Sequence, residues 1–460
     1  MTSRGLEGVV ANTTRLSDVI GDKGQLIYAG YDINELAGKV TYEEIIYLLW
    51  NNKLPNRAEL DQCTKTLRSL RTLPNGVIEF LKGAPKDAAP MDVLRTAVSM
   101  LGLYDPDIHR EATMEINRQR ARSITAKIGV IAAYFHRARK DKPLPPVRED
   151  LSEAAHFLYL MNGEEPTKEA ADTLDLAFVL HADHGMNAST FSARVTISTL
   201  SDIYSAITSA IGTLKGPLHG GANEGVIQML EKIGSLEKVD AYIEDQLAQK
   251  KKIMGIGHRV YKTLDPRAPH LRAMAVKLSE KLGEPKWIQM SERIAELMKQ
   301  KKNLNANVDF YSATVYHSLG IPTDLFTPVF AIARTSGWCA HVLEQLEDNR
   351  LYRPLSEYVG EPVGKKVIPV DQRPENPSHR KIDWKSPEDC RVDLPGGSTT
   401  FTYTSLFGFA YGLEHSTNYA NWSPVSTSSA GTFPWSSHSA NDSGFSGSPH
   451  FWRLKAVPGP

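Results

Sequence analysis

For over three hundred residues after residue 33, the apolar side chains of this chain recur at three- and four-residue spacing. That period commits the bulk of the chain to amphipathic helices packed on one another. Thr41 and Glu44 stand at capping-box spacing and open a helix whose buried stripe is Tyr42, Ile45, Ile46 and Leu49. Asn56 is placed to cap the next helix, which Pro55 and Pro74 bracket. In 111–140, Ile124, Ile128, Ile131 and Phe135 share a face, and in 203–214 Ile203, Ile207, Ile211 and Leu214 do the same. Between the latter, Ser205, Ala206, Ser209 and Ala210 are small enough to let another helix close, within the core or from a partner subunit. Only 13–33 reads as strand: Leu16, Val19, Leu26, Tyr28 and Ile33 flank the turn-prone Gly21-Asp22-Lys23-Gly24.

At 460 residues the chain is long enough for two or three domains. Lys+Arg and Asp+Glu are equal at 53 each, so no bulk field draws it to nucleic acid or an anionic membrane. An anionic ligand must be held by a local cluster of positive groups instead. The three cysteines, Cys63, Cys339 and Cys390, lie far apart without CxxC spacing, which argues against a disulfide framework or a zinc knuckle. No secretory pattern opens the sequence, and no window approaches the ~18 apolar residues of a membrane span. The expectation is a soluble cytoplasmic protein.

Beyond about residue 373 the pattern breaks. Residues 391–460 hold six charged residues, 13 serines and 12 aromatics, and neither period persists. The stretch reads as a disordered, Ser/aromatic-rich extension.

Four segments combine reactive side chains with glycine or other polar residues. In His181-Ala182-Asp183-His184-Gly185-Met186-Asn187-Ala188-Ser189, the histidines share a helical face, as ligand-binding groups or as core and capping histidines. In Lys215-Gly216-Pro217-Leu218-His219-Gly220-Gly221, glycines let the backbone approach a ligand. A histidine before a helix N-terminus there is held neutral, a hydrogen-bond donor and not a cation. In 250–267, Lys250, Lys251, Lys252, Arg259 and Lys262 surround Gly255, Gly257 and His258, which suits phosphates or carboxylates. In Asn307-Val308-Asp309-Phe310-Tyr311-Ser312, Asp309 stands among apolar residues, either as a desolvated carboxylate of raised basicity or as a helix cap. Arg334 interrupts the apolar run 329–338, and buried arginine is rare without an anion to meet; Arg353 follows in Arg350-Leu351-Tyr352-Arg353-Pro354.

These segments resemble, in order and at suitable intervals, the active-site segments of the citrate synthase family, in its shorter bacterial and archaeal branch. GPLHGGANE, GIGHRVYKTLDPR and NVDFYS are similar nearly letter for letter, and HADHGMNAS, the Arg334 helix and NRLYRP follow suit. The resemblance covers roughly residues 5–373. The extension has no counterpart in it, and Leu355 stands where many members carry a basic residue.

The resemblance implies a mainly α, two-domain all-helical fold with a short N-terminal β-hairpin. The large domain would span 1–219 and 327–373, the small domain 220–326, and the extension 374–460. It implies condensation of acetyl-CoA with oxaloacetate and hydrolysis to citrate and CoA, an acyltransferase of the tricarboxylic acid cycle. Catalysis would fall to His219, His258 and Asp309. Oxaloacetate would be bound by His184, Asn187, Arg267, Arg334 and Arg353, the last reaching in from the partner of a homodimer. CoA would meet Arg259, Lys262 and Lys252. Closure of the small domain would hinge near Gly216, Gly220 and Gly221. Acetyl-CoA is then a co-substrate, with no permanently bound cofactor or metal expected. 2-Methylcitrate synthase, with propionyl-CoA, shares these motifs. A metal-dependent hydrolase with His181, His184, His258 and Asp309 as ligands is the alternative of another class, though three arginines and the basic run would repel a cation. A non-catalytic dimeric scaffold would not need every reactive residue present.

Overall fold

The computed structural model describes residues 4–109, 112–361, 363–372 and six strands between Asp389 and Pro458. The chain divides into two compact units, Met1–Glu357 and Tyr358–Pro460.

The first unit is built of helices. Thr41 and Glu44 form the reciprocal capping box, as do Asn56 and Glu59, so helices Tyr42–Asn51 and Arg57–Ser69 start where the side chains satisfy the free amides. The stripe Tyr42, Ile45, Ile46 and Leu49 is fully buried. Helix Met114–Ala138 buries Ile124, Ile128, Ile131 and Phe135. Helix Ile203–Leu214 buries its isoleucines and packs on Ala188–Ser198, where Ser209 and Ser192 meet hydroxyl to hydroxyl. The small residues of that helix therefore serve a contact within the chain. Helix Phe326–Glu347 is buried along nearly its whole length, the mark of a helix surrounded on all sides. Among the described residues no helix is long and apolar enough to cross a membrane.

The expected strand pair is present. Ser17–Ile20 pairs antiparallel with Gln25–Tyr28 in the register Ser17↔Tyr28 and Ile20↔Gln25, and Tyr31–Asp32 adds a short third strand. The buried Tyr28 hydroxyl donates to the Asp183 carbonyl (2.8 Å), and the Asp183 amide donates back to it (3.1 Å). The hairpin is thus tied to the loop that carries His184.

In the stretch read from sequence as a disordered extension, the described residues form strands. Asp389–Leu394, His450–Pro458, Phe409–Ser416 and Ser423–Thr427 make one antiparallel sheet, and Thr399–Leu406 pairs with Trp435–Asp442. Threonine and aromatics suit a pleated backbone, and the alternation is present locally: Phe401 and Tyr403 alternate with Thr402 and Thr404, and Cys390, Val392 and Leu394 with Arg391 and Asp393. Residues 373–388 and the connections between these strands lie outside the described residues.

Candidate active site

Two distant segments are stitched together to build one wall of a cleft. Ile256 and Ala306 form an antiparallel bridge, the Gly257 amide donates to the Asn305 carbonyl (2.8 Å), and the Asn307 amide donates to that of Gly255 (2.9 Å). Gly255 sits at φ +72° with Phe310 and Val226 closed over it, so no side chain fits there. The Asn307 side chain caps helix Val308–Ser318 through the Asp309 amide and donates to the Gly257 carbonyl (2.8 Å). Asn307 is therefore the cap, and Asp309 is left with its carboxylate in the first turn, facing the cleft.

This cleft of about 630 Å³ is lined by His184, Asn187, His219, His258, Arg259, Arg267, Asp309 and Arg334 together. Sequence positions as far apart as His184 and Arg334 thus meet in one place. Leu6, Val9, Met186, Phe191, Leu218 and Val260 give it an apolar side. Arg353, Lys252 and Lys262 do not line it and are solvent-exposed on this chain.

Each titratable group in the cleft is tuned by its surroundings. Burial pushes the Asp309 carboxyl up to about 6, against the opposing charges of Arg267 and Arg334. Its Oδ1 is buried with no hydrogen-bond partner. An ionised, underbonded carboxylate with raised basicity is what proton abstraction needs. His258 Nδ1 accepts from the amides of Val260 (3.0 Å) and Tyr261 (3.1 Å), so its proton sits on Nε2. Burial and then Arg267 hold its pKa down to about 4. His219 Nε2 faces the amide (3.3 Å) and hydroxyl (2.9 Å) of Ser189, and Trp338 Nε1 donates to that same hydroxyl oxygen (3.1 Å). A ring nitrogen receiving an N–H is an acceptor, which places the His219 proton on Nδ1. Burial and Arg334 keep its pKa at about 4. Both imidazoles are neutral donors at pH 7.

The cationic side of the cleft has two guanidinium groups in different states. Arg267 is paired with Asp265 through Nε (3.0 Å) and Nη2 (2.8 Å), and Asp265 also accepts from the Val308 amide (3.1 Å). That leaves Arg267 Nη1 without a place in the pair. Arg334 gives Nε to the His181 carbonyl (2.6 Å) and lies over the Phe330 ring, while its Nη1 is buried with no partner. A buried, unpaired guanidinium nitrogen on a cleft wall is suited to meeting an anion. His184 Nε2 lies 3.0 Å from the Tyr261 hydroxyl, and burial followed by Arg267 and Arg334 holds its pKa well below the usual value.

Two expectations need refining. His181 is not in the cleft: its Nδ1 donates to the Ala177 carbonyl (2.7 Å), and its ring packs edge-on against Phe330. The four-ligand metal set is therefore not assembled, and among the described residues no three His, Cys, Asp or Glu side chains converge for a metal. Asn187 does line the cleft, but its side chain caps Ala188–Ser198: Oδ1 accepts from Thr190 N (3.1 Å), and Nδ2 donates to Thr190 Oγ1 (2.9 Å). Sequence reasoning gave no role to Ser189, Asp265, Tyr261 or Trp338. Of these, only Asp265 carried a signal, two residues before Arg267 in the same Asp-Pro-Arg turn.

Comparison with known proteins shows the family. The family model described as "Citrate synthase, C-terminal domain" matches residues 5–355. "Citrate synthase 2" of Bacillus subtilis is 51% identical over 373 residues, which span 81% of this chain and 99% of that protein. "2-Methylcitrate synthase 2" of Corynebacterium glutamicum is 40% identical over 375 residues, 80% of this chain and 97% of that protein. Among solved structures, citrate synthase from Pyrobaculum aerophilum superposes with a TM-score of 0.76 at 39% identity, covering 80% of this chain and 95% of that one. The ternary complex of carboxymethyl coenzyme A and oxaloacetate with citrate synthase from Thermoplasma acidophilum gives a TM-score of 0.76 at 34% identity, covering 81% and 100%.

Proposed function

The chain belongs to the citrate synthase family, and on that premise we propose that it condenses acetyl-CoA with oxaloacetate and hydrolyses the resulting thioester to citrate and CoA. The observation that carries this reading is the convergence of one basic carboxylate, two neutral imidazole donors and two buried arginines on a single cleft.

The first step takes a proton from the acyl methyl group. Asp309 is the base, and the His219 Nδ1–H donates to the thioester oxygen as charge develops there. Because the donor is neutral, the intermediate is held as an enol or a strongly hydrogen-bonded enolate. The new carbon–carbon bond then forms at the oxaloacetate ketone. The His258 Nε2–H donates to the ketone oxygen and passes its proton to the alkoxide. Arg334 and Arg267 clamp the oxaloacetate carboxylates, which Arg334's free nitrogen suits directly. Water finally cleaves the thioester and releases the CoA thiol.

Arg353, exposed on this chain, supplies a further carboxylate contact from the partner of a homodimer. Arg259 at the cleft rim, with Lys252 and Lys262 outside it, receives the CoA phosphates. The 220–326 segment closes over the substrates about Gly216, Gly220 and Gly221, excluding water before condensation. The enzyme works in the cytoplasm without a permanently bound cofactor.

The test is thiol release with oxaloacetate and either acetyl-CoA or propionyl-CoA, comparing kcat/KM. Release with neither sinks the reading. Relatives named 2-methylcitrate synthase, at 39–40% identity, favour propionyl-CoA as a second substrate. One methylene changes discrimination by only ~1–3 kcal/mol. The shared site is tested by mixing Asp309→Asn and Arg353→Ala subunits: hybrid dimers regain activity only if Arg353 acts across the interface.

A further inference from the structure

The N-terminal hairpin lies far from the reactive residues in sequence, and nothing in the condensation chemistry calls for it, yet it touches both substrate-side loops. Its turn meets the loop that follows His258. The Lys262 amide donates to the Gly21 carbonyl (3.1 Å). A Cβ on Gly21 would lie 2.3 Å from the Val260 carbonyl oxygen, and one on Gly24 would lie 2.5 Å from Thr263 Oγ1 and 2.8 Å from the Leu264 carbonyl. These are main-chain obstacles for the most part, so a side chain could be fitted only by moving the loop. The same loop holds His258 from its other side, because the Val260 and Tyr261 amides are the donors to His258 Nδ1. At the strand end, the hairpin holds the His184 loop. Ser17 Oγ accepts from the Gly185 amide (2.9 Å) and donates to Asp183, and Tyr28 bonds the Asp183 backbone. The rings of His184 and His258 meet edge-on, their centroids 5.4 Å apart, between these two anchor points.

We propose that the hairpin is a positioning element for oxaloacetate activation: it fixes the spacing of the His184 and His258 loops, and Gly21 is the contact through which it seats the His258 loop. The proposal rests on the condensation reading and adds to it a group remote from the reacting atoms. Gly21 is the informative position. Its backbone is not in the left-handed region, so alanine is tolerated by its own conformation, and the three atoms nearest the added Cβ all belong to Val260. Gly24, at φ +62°, would confound backbone strain with displacement of the loop.

The experiment compares Gly21→Ala with Lys23→Ala, a change at the exposed tip of the same turn. A displacement of about 1 Å at a reacting group can cost on the order of a hundredfold in rate. Gly21→Ala is therefore expected to lower kcat/KM for oxaloacetate by roughly 10- to 100-fold. The infrared carbonyl stretch of bound oxaloacetate should move back towards its free value, because His258 no longer polarises that bond. Lys23→Ala should keep the parental rate and stretch. Parental kcat/KM, within about twofold, and an unmoved stretch in Gly21→Ala would overturn the proposal. If Gly21→Ala does not fold, the parent alone decides: the Lys262 amide, with oxaloacetate saturating, should be protected from hydrogen exchange, and rapid exchange there overturns the proposal. A parent that releases no thiol with either acyl-CoA overturns the condensation reading itself, and that outcome is read before any variant is made.

Discussion

Arg194 and Arg334 are almost equally buried, at 2% and 1% exposure, yet they do opposite things. Arg194 belongs to the polar network behind the cleft. Its Nε reaches His341 Nδ1 (3.1 Å), its Nη1 reaches Gln345 (3.0 Å), and its Nη2 reaches Glu344. His341 in turn lies 3.1 Å from Asp183, whose burial is outweighed by His341, Arg334 and the Ser17 hydroxyl together, so that its carboxyl stays below the usual range. Arg334, in the cleft wall, meets a backbone carbonyl and an aromatic face and keeps one nitrogen unpaired. Burial alone does not mark a binding site. Unspent hydrogen-bonding capacity on a cleft wall points to one. Glu43, Arg71 and Tyr316 also leave buried polar atoms unpartnered, but among the described residues only the unpartnered atoms of Asp309 and Arg334 belong to residues that line this cleft.

The largest effect that would sharpen this contrast is at the base. Asp309→Asn keeps the shape and removes the basicity, and kcat should fall by about a thousandfold or more while the oxaloacetate Kd from calorimetry changes less than about threefold. A large loss of oxaloacetate binding would make Asp309 a substrate ligand instead. Next, Arg334→Met should raise KM for oxaloacetate by roughly a hundredfold with little change in Tm, since no ion pair is broken. Arg194→Met should do the reverse. It strands Glu344 and His341 and should cost about 3–5 kcal/mol in denaturant unfolding, with kcat/KM of the folded fraction near parental. If the two arginines gave the same pattern, the distinction between spent and unspent capacity would fail. Ser189→Ala removes the hydroxyl beside His219 but leaves the backbone amide, so a loss of about tenfold in kcat is expected, the scale of one hydrogen bond.

The remaining effect is on stability and has a definite sign. Burial raises the Asp309 pKa from its unfolded value, so the folded state binds the proton more tightly and stability falls as pH rises from about 4 through about 6. Asp309→Asn should therefore unfold later than the parent at pH 7, by on the order of 2 kcal/mol after cleft water has screened part of the penalty. The difference should vanish below about pH 4. Chemical denaturation at the two pH values checks it.

Much of this was legible in the sequence, for reasons that separate along the same line. The helices were readable because Thr41–Glu44, Asn56 and the isoleucine stripes act locally, through caps and periodicity. The segments that carry the candidate reactive residues stood out because they set polar groups beside glycine or in apolar runs, and the resemblance to the family then supplied their roles. The groups that orient them were not readable. Ser189 looks like any helix N-terminal serine, Trp338 like any core aromatic, and His341 like a stray histidine in a buried helix, until the fold brings them to His219 and Asp183. Asn187 is ambiguous for the same reason: it lines the cleft and caps a helix at its edge, and the letter alone does not separate the two uses. The strands after residue 389 did not stand out because serine and low charge dominate the stretch as a whole, although Cys390, Val392 and Leu394, and Phe409, Tyr411 and Leu413, stand at every second position.

The central claim is that an ionised Asp309 works between two uncharged imidazoles, and the dependence of kcat/KM for acetyl-CoA on pH, from about 4.5 to 8, tests it most directly. The account predicts a tenfold loss per pH unit below about 6, where Asp309 takes up its proton, and a plateau above it. Activity that instead rose as the pH dropped below 6 would mean that a protonated histidine does the work, and would contradict the account.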